Sequence, residues 1–438
     1  MFPNIVEAGC AKVSSLIPRT FQASIFIAAI GFSLGSGVGN ASEGGVGRQL
    51  LWAMLGGVAL VSITNGVFRG EFQKFSWGGP ILVSFVTFSI ASVVWSYTPL
   101  ATAKRSALLV IVLLISAAAF GKSDNRHGDF DKVLGVPLLA LLLASILITV
   151  LSPGYAFTDL GWRGITSHKN EMGQVMAVAV ILMLFGAWNL KHLRFIRLSI
   201  LAVLFGGLIL SKSSTSLLGL VAAISITVLV TLPRTLERRD ALKVFLLGSI
   251  LIVSIMLYVA YTADMLPDID KVYSWLLAKM GKSANFTGRT AIWQLVMSES
   301  RYHNPLIGGG YGGFWVGRES VSGYIIVGDN LYPGQAHNGY LDIFNELGII
   351  GVSLLVLILL VATHKLWTIY MLNHRETPIH ISIAVMMVCI NLGETTFFRT
   401  TQFTSIVFIA SLVRVSALVK EGKKSKPINV AMQIEKRT

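Results

Sequence analysis

The sequence predicts an all-α membrane protein with about twelve transmembrane helices and one large loop outside the membrane. Of its 438 residues, 53% are hydrophobic and only 13% are charged, whereas soluble domains carry about 25% charged residues. The mean hydropathy is +0.68, and long windows contain no ionisable side chain. A soluble protein of this length would need polar surface throughout, so the composition favours a lipid environment.

The predicted helices are apolar windows of roughly 20 residues, the length needed to cross the hydrocarbon core. About twelve windows meet or nearly meet this length. They begin near Phe21, Leu50, Gly79, Ala101, Val133, Glu171, Phe195, Ser214, Leu242, Gly339, Ile379 and Gln402. We therefore expect a single integral-membrane domain over residues 1–438.

The formal net charge of +14 indicates membrane topology rather than a nucleic-acid surface. The 36 Lys and Arg residues lie mostly in short loops between apolar runs and in the carboxy-terminal tail. The two cysteines, Cys10 and Cys389, are too few for a disulfide framework or a metal cluster. We expect no nucleic-acid partner, no metal site and no cofactor.

The placement of Lys and Arg predicts that both termini face the cytoplasm. With the amino terminus inside, the inner loops and the basic tail of residues 420–438 hold most of the cations. The short outer loops then hold only Arg48, Lys104, Arg105, Arg163, Lys169, Lys212 and Arg399. This asymmetry follows the positive-inside rule.

One connection, residues 264–336, is much longer than the others and lies on the predicted outer face. Ordinary connections are usually shorter than about 15 residues, and loops longer than that often carry function. Within it, residues 291–300 place Ile292, Leu295 and Val296 on one helical face. We expect an amphipathic helix that lies on the membrane or caps a cavity.

A His-Asn pair follows the large loop and opens the next predicted span. His337 and Asn338 are followed by Gly348 and Gly351 in the pattern H-N-x9-G-x-x-G. A neutral imidazole can accept a proton from a hydroxyl group near neutral pH, and Asn338 can orient that hydroxyl or the ring. The two glycines allow another helix to approach closely. Taken alone, His337 could also be an interfacial histidine with no function, but the motif around it favours a functional role.

Four charged residues near the outer ends of the late spans have structural interpretations. Asp342 and Glu346 would be costly in lipid, so we expect them to point into the helix bundle. Glu394 and Arg399 are expected to form a structural ion pair near the end of the eleventh span.

The segment 308–313 contains the pattern G-x-G-x-x-G, but it does not predict a nucleotide site, because no βαβ unit flanks it. It follows Asn304 and Pro305. We expect a flexible turn that acts with Tyr311 and Trp315 as a lid over the substrate.

Four further motifs contain aromatic, hydroxyl and basic residues. They are Trp95-Ser96-Tyr97-Thr98-Pro99 followed by Lys104-Arg105, Trp162 to Gly173, Ser211 to Ser216, and Thr287 to Trp293. Together with H-N-x9-G-x-x-G, they resemble the signature of the O-antigen ligase and polymerase superfamily. The form H-K-N-E-x-G in the second motif is similar to that of the ExoQ-like exopolysaccharide polymerases.

The resemblance implies a GT-C-like fold in the bacterial inner membrane and a glycosyltransferase site at the periplasmic face. The implied substrates are an undecaprenyl-pyrophosphate-linked oligosaccharide and the growing polysaccharide, and the implied protein partners are a chain-length regulator and export machinery. Two alternatives stay open. One is a ligase that transfers finished polymer to lipid A core. The other is a flippase or transporter of lipid-linked sugars, for which charges near the membrane midplane would be expected.

The resemblance and the predicted topology together bring the motif residues to one outer cavity. The catalytic candidates are His337, as the base, and Arg289, whose planar guanidinium suits phosphate oxygens. Arg289 precedes the amphipathic segment, so the helix N-terminus would add positive potential there. The substrate-binding candidates are Arg163, Arg105, Lys169, Lys212, Asn338, His168 and Glu171.

Some of these residues have a second interpretation. Lys169 and Lys212 can extend toward phospholipid headgroups. His168 can compete with His337 as the base, and Glu171 can hold His168 or a sugar hydroxyl.

Overall fold

The computed structural model describes residues 46–68, 76–121, 130–186, 194–231, 287–299, 304–326 and 332–435, and most of these residues are helical. The helices are α1 (Val46–Phe68), α2 (Pro80–Ala91), a 3-10 turn (Ser92–Val94), α3 (Pro99–Phe120), α4 (Phe130–Leu151), α5 (Pro153–Ala156), α6 (Lys169–Phe185), α7 (Arg194–Leu210), α8 (Ser214–Thr231), α9 (Thr287–Glu299), α10 (Gly339–Met371), α11 (Thr377–Ile390) and α12 (Phe403–Glu435). Between α5 and α6, strands β1 (Phe157–Thr158) and β2 (Gly161–Trp162) form a short antiparallel hairpin.

The described helices agree with a multi-pass membrane protein. Five of them are long and apolar enough to cross a membrane: α3, α4, α8, α10 and the Phe403–Gly422 part of α12. Shorter apolar helices lie at Gln49–Asn65, Pro80–Val94, Phe195–Leu210 and Thr377–Ile390. Every predicted window coincides with a helix except those near Phe21 and Leu242, which lie outside the described residues. The predictions of twelve spans and of two cytoplasmic termini stay predictions.

Helix α6 lies at the centre of the described bundle. Every residue from Met172 to Met183 is buried, and the helix contacts α4, α7, α8, α11 and α12. A largely apolar helix of this kind is stable when other helices surround it. The surrounding helices therefore fix the position of its first two turns, which carry Asn170, Glu171 and Gln174.

Helix α10 is broken at Gly348, where the backbone has φ 64° and ψ −161°. A loop rather than a helix fills the break, since the amide of Ile349 donates a hydrogen bond to the Pro305 carbonyl at 2.9 Å. A side chain at Gly348 would collide with the carbonyl of Leu306. The prediction that Gly348 admits a neighbouring helix is therefore wrong, because this close contact is made by loop backbone.

The glycine-rich segment 308–313 is buried and fixed by hydrogen bonds. The amide of Tyr97 donates to the carbonyl of Gly309 at 3.1 Å, and the Thr98 hydroxyl donates to the carbonyl of Gly313 at 2.7 Å. The predicted flexible lid is thus not found. Instead, the W-S-Y-T-P motif forms the surface on which this segment packs.

The connection between α11 and α12 is a buried loop of residues 391–402, which we call the 391–402 loop. Asn391 organises it, because its Oδ1 atom accepts hydrogen bonds from the amides of Thr396 and Phe397, at 2.8 and 2.9 Å. Phe398 then adopts a left-handed backbone conformation with φ 53°. The loop holds its polar side chains in fixed positions beside α6 and α10.

The amphipathic helix predicted in the outer loop is present as α9 and begins slightly earlier than predicted. Its residues Ile292 and Val296 form a buried cluster with Phe314 and Trp315. The apolar face of α9 therefore covers protein rather than a lipid surface. Because the helix begins early, Arg289 lies in its first turn instead of before it.

Candidate active site

An open cavity lies where α3, the start of α6 and the 391–402 loop meet residues 311–315 and 334–335. It holds about 980 Å³ of empty space, with open solvent at its mouth included. The residues that line it are Arg105, Ser167, His168, Asn170, Glu171, Gln174, Tyr311, Gly312, Trp315, Gly334, Gln335, Glu394, Arg399, Thr400, Thr401 and Gln402. The cavity thus draws together residues from motifs that lie far apart in the sequence.

The carboxylate of Glu394 connects three helices at the wall of this cavity. Its Oε1 atom accepts hydrogen bonds from Asn170 Nδ2 at 2.7 Å and from Arg289 Nη2 at 3.0 Å. Its Oε2 atom lies 3.2 Å from His337 Nδ1. The side chain of Glu394 is only 6% exposed. One buried carboxylate therefore holds together the start of α6, the start of α9 and the residue before Asn338, which caps α10.

The His337 imidazole is oriented by this carboxylate. Its Nδ1 atom lies 3.2 Å from both Glu394 Oε2 and Gln335 Nε2. Because an ionised carboxylate only accepts hydrogen bonds, Nδ1 carries the proton. The two ends of a glutamine amide have nearly the same shape, so with this tautomer the Gln335 amide is turned and its oxygen faces Nδ1. In the part of the chain that the structure describes, His337 Nε2 has no hydrogen-bond partner. This tautomer leaves a lone pair on Nε2 that can accept a proton.

The same contacts keep Glu394 ionised. Burial alone raises the pKa of the Glu394 carboxyl. The hydrogen bond from His337 and the positive charge of Arg289 lower it by more, so the net pKa lies below its ordinary value. Glu394 is therefore a carboxylate at neutral pH, as the orientation of His337 requires.

The backbone of α6 fixes the second histidine. His168 Nδ1 accepts a hydrogen bond from the amide of Asn170 at 3.2 Å, so the neutral ring carries its proton on Nε2. Burial lowers the pKa of His168, and the nearby Glu394 carboxylate offsets this effect only in part. His168 is thus a neutral hydrogen-bond donor on the cavity wall. The arrangement favours His337 over His168 as the base.

Two arginines of the cavity wall are fixed by contacts with the protein. Arg105 donates hydrogen bonds to the carbonyl of Gly312 and, at 2.9 Å, to that of Trp315. Arg399 Nη2 lies 3.3 Å from Asp342 Oδ2 and 2.9 Å from Glu346 Oε1. As predicted, these two carboxylates point inward.

The expected ion pair of Glu394 with Arg399 is wrong. Glu394 pairs with Arg289, whereas Arg399, which follows the left-handed residue Phe398, pairs with the carboxylates of α10. Burial lowers the pKa of Arg399, but the carboxylates of Glu346 and Asp342 raise it by more, so it lies above its ordinary value. Arg399 therefore stays charged at the cavity.

Of the other predicted site residues, Glu171 lies in the cavity and Asn338 lies at the start of α10. Glu171 lines the cavity, where its Oε2 atom accepts a hydrogen bond from the Ser167 hydroxyl at 2.9 Å. Asn338 caps α10, because its Oδ1 atom accepts hydrogen bonds from the amides of Tyr340 and Leu341, at 3.1 and 3.2 Å. The Asn338 oxygen is thus committed to the helix.

Three predicted cations do not line the cavity. The guanidinium of Arg163 lies 4.2 Å from the centre of the Tyr155 ring and donates a hydrogen bond to the Tyr155 carbonyl at 2.8 Å. Lys169 is half-buried, and Lys212 is exposed in the turn between α7 and α8. The structure therefore brings Arg105, His168 and Glu171 into one cavity, places Arg289 and His337 at its edge, and leaves these three outside.

The candidate site contains residues that the motifs did not indicate, chiefly Glu394, Arg399 and Gln335. The available signal was a short polar run, N-L-G-E-T-T, between two apolar windows. Carboxylates at the end of a span are costly unless they are paired. That cost indicated a partner for Glu394 but could not identify it.

Two comparisons with known proteins agree with the resemblance that the motifs indicated. A family model described as O-Antigen ligase matches residues 199–356, a region that contains Arg289 and His337. The exopolysaccharide production protein ExoQ of Rhizobium meliloti (strain 1021) is 23% identical over 321 residues, which cover 69% of this chain and 68% of that protein. With the motifs described above, these similarities support the resemblance of the chain to the O-antigen ligase and polymerase superfamily, and to its ExoQ-like members.

Proposed function

We propose that this protein is a glycosyltransferase that polymerises lipid-linked oligosaccharide repeat units during exopolysaccharide synthesis. The observation that carries the proposal is the His337 imidazole, oriented by the buried Glu394 carboxylate at the edge of an open cavity. The O-antigen ligase family model and the similarity to an exopolysaccharide production protein support a role in polysaccharide synthesis. The charge pattern of the loops supports a site at the periplasmic face of the inner membrane, with both termini in the cytoplasm.

In the proposed reaction, a hydroxyl on the terminal sugar of one lipid-linked chain attacks C1 of the reducing-end sugar of another. The new bond joins the hydroxyl oxygen to C1, and the bond from C1 to the undecaprenyl pyrophosphate oxygen breaks. His337 Nε2 accepts the hydroxyl proton, and the pyrophosphate leaves with the bonding electron pair. Single displacement of this kind inverts the anomeric centre.

Arginines stabilise the leaving group in this proposal. Arg289 lies in the first turn of α9, where backbone amides add positive potential, and one of its Nη atoms is fixed by Glu394. Arg105 and Arg399 line the cavity and are held by backbone carbonyls and buried carboxylates. Because these contacts orient the arginines in advance, little reorganisation is needed as charge develops.

The acceptor distinguishes this proposal from the related ligase. A ligase would transfer finished polymer to lipid A core, whereas a polymerase transfers the growing chain to a further repeat unit. The similarity to the exopolysaccharide production protein favours the polymerase. The match to the O-antigen ligase model keeps the ligase as the second candidate.

Reconstitution tests the proposal directly. The protein is purified, placed in vesicles, and supplied with the lipid-linked repeat unit extracted from a strain that lacks this gene. We expect wild-type protein to form a ladder of lipid-linked polymer, and the His337→Ala and Arg289→Ala variants to lose it. Polymer formation by both variants at the wild-type rate would refute the site.

Two product patterns would instead support the alternatives. A ligase would leave the repeat unit unpolymerised and attach supplied polymer to added lipid A core. A flippase would move the lipid-linked unit across the vesicle membrane without forming any glycosidic bond.

A further inference from the structure

Part of the cavity wall is formed by uncharged side chains, some of whose hydrogen-bonding groups have no partner among the described residues. Thr400 and Gln174 line the cavity and are each only 5% exposed. Gln174 uses one end of its amide, since the Thr404 hydroxyl donates to its Oε1 atom at 3.0 Å. Within the described residues, the other end of this amide and the Thr400 hydroxyl have no hydrogen-bond partner.

Gln402 adds a third uncommitted group to the same wall. It lines the cavity, and its Oε1 atom is buried with no partner among the described residues. Nearly all buried polar groups in folded proteins are hydrogen-bonded, and an unpaired one costs about 1–3 kcal/mol. The three groups therefore supply one hydroxyl and two amide ends for a molecule that enters the cavity.

We propose that Gln174, Thr400 and Gln402 form the subsite that binds hydroxyl groups of the acceptor sugar. The inference rests on the proposed glycosyl transfer and names the part of the cavity that receives the attacking chain. A sugar hydroxyl both donates and accepts hydrogen bonds, so it can pair with the Thr400 hydroxyl and with either end of a glutamine amide. A pyrophosphate, in contrast, offers only acceptors and calls for cations such as Arg105 and Arg289, which lie on α3 and α9.

The position of these residues suits an acceptor site. Gln174 lies one turn after Glu171 on α6, and Thr400 and Gln402 follow Arg399 in the 391–402 loop. Both elements reach Glu394, which orients the proposed base, because Asn170 of α6 donates a hydrogen bond to that carboxylate. An acceptor sugar held by this wall would thus lie near the residue that takes its proton.

The test uses the oligosaccharide repeat unit, released from its carrier by mild acid, as a soluble acceptor. Transfer from a labelled lipid-linked donor is measured while the soluble acceptor is varied. We expect Thr400→Val and Gln402→Leu each to raise the acceptor KM about tenfold, the loss of one uncharged hydrogen bond, with kcat close to wild type. A rise of less than about threefold in both variants would overturn the inference.

Thr377→Val is the matched control. Thr377 is 3% exposed, its hydroxyl is buried and unpaired among the described residues, and it does not line the cavity. This variant should leave the acceptor KM unchanged. If Thr400→Val fails to fold, Gln402→Leu carries the same test at a half-buried position.

A second readout separates this inference from the proposed function. Binding of the soluble oligosaccharide is followed by tryptophan fluorescence, since Trp315 lines the cavity. If wild-type protein forms no glycosidic bond, the proposed function fails, but weaker binding by both variants still supports the subsite. If wild-type protein polymerises and the variants keep both their KM and their binding constant, the subsite alone fails.

Discussion

Two histidine–glutamate pairs in this molecule share the same chemistry but differ in what surrounds them. His337 Nδ1 lies 3.2 Å from Glu394 Oε2, and His380 Nε2 lies 3.4 Å from Glu376 Oε2. The His337 side chain is 24% exposed, whereas His380 is fully buried. A histidine beside a carboxylate is therefore not in itself a site.

The second ring nitrogen makes the difference. His380 Nδ1 lies 2.8 Å from the Ser411 hydroxyl, so both of its nitrogens are engaged. Arg414 closes the pair by donating two hydrogen bonds to Glu376, at 2.9 and 2.8 Å. His337 keeps one nitrogen uncommitted among the described residues, beside a cavity. We therefore propose a catalytic role for the pair of His337 and Glu394, and a structural role for the pair of His380 and Glu376.

The largest expected effect is on the pair of His337 and Glu394. His337→Gln should lower the rate of polymer formation by about 10²–10⁴-fold, because the variant has no general base. Its thermal unfolding temperature should stay close to that of wild type, since the ring is partly exposed. His364→Gln, at an exposed position further along α10, is the matched control. A strong fall in unfolding temperature without loss of rate would reverse the assignment of the two pairs.

The next largest effect is on the pair of His380 and Glu376. Arg414→Met leaves the Glu376 carboxylate buried without its bidentate partner, which typically costs about 3–5 kcal/mol. Burial raises the pKa of Glu376, but its bonds with Arg414 and His380 lower it far more, and most of that effect depends on Arg414. Thermal unfolding in detergent should show a clear loss of stability. An unchanged unfolding curve would mean that this network contributes little to the fold.

A smaller effect is expected when the orienting carboxylate is neutralised. Glu394→Gln should lower kcat by about 10–100-fold, the range found for residues that orient metal-bound histidines, with a much smaller change in KM. Fast turnover by this variant would show that the tautomer of His337 does not depend on Glu394.

The stability of Glu394→Gln should also depend on pH in a defined direction. The pKa of Glu394 is depressed in the folded protein, so its ionised form stabilises the fold above the unfolded pKa and ceases to do so as the pH falls through the folded pKa. The difference in unfolding temperature between wild type and Glu394→Gln should therefore shrink on acidification. A difference that grows at low pH would contradict the depressed pKa.

The smallest effect concerns a cation that lies outside the cavity. Lys212 is exposed between α7 and α8, and a surface charge of this kind contributes little. Lys212→Ala should change the polymerisation rate by less than about twofold, whereas Arg105→Ala, at the cavity wall, should slow it strongly. Equal losses in the two variants would place the substrate on a wider surface than the cavity.

The sequence allowed the helical membrane fold and part of the site to be predicted. Apolar windows predicted most helices because the hydrocarbon thickness fixes their length. The motifs indicated His337 and Arg289, which the structure places on one carboxylate. Charge asymmetry indicates on which side of a membrane a residue lies, but not where it lies within the plane. For that reason Arg163 and Lys212 were expected in a cavity that they do not line.

Glu394 could not be identified because its role depends on long-range geometry. Its partners Asn170, Arg289 and His337 come from three other elements, and the 391–402 loop that presents it resembles the end of a span. The break at Gly348 has a similar cause. A glycine at a close backbone contact is easily recognised, but the sequence does not tell whether a helix or a loop makes that contact.

Chemical rescue tests the central claim most directly. In reconstituted vesicles supplied with the lipid-linked repeat unit, His337→Gly should form almost no polymer, and added imidazole should restore polymer formation in proportion to its concentration. The same imidazole should have no effect on wild type or on His364→Gly. Wild-type rates from His337→Gly in the absence of imidazole would contradict the assignment of His337 as the base.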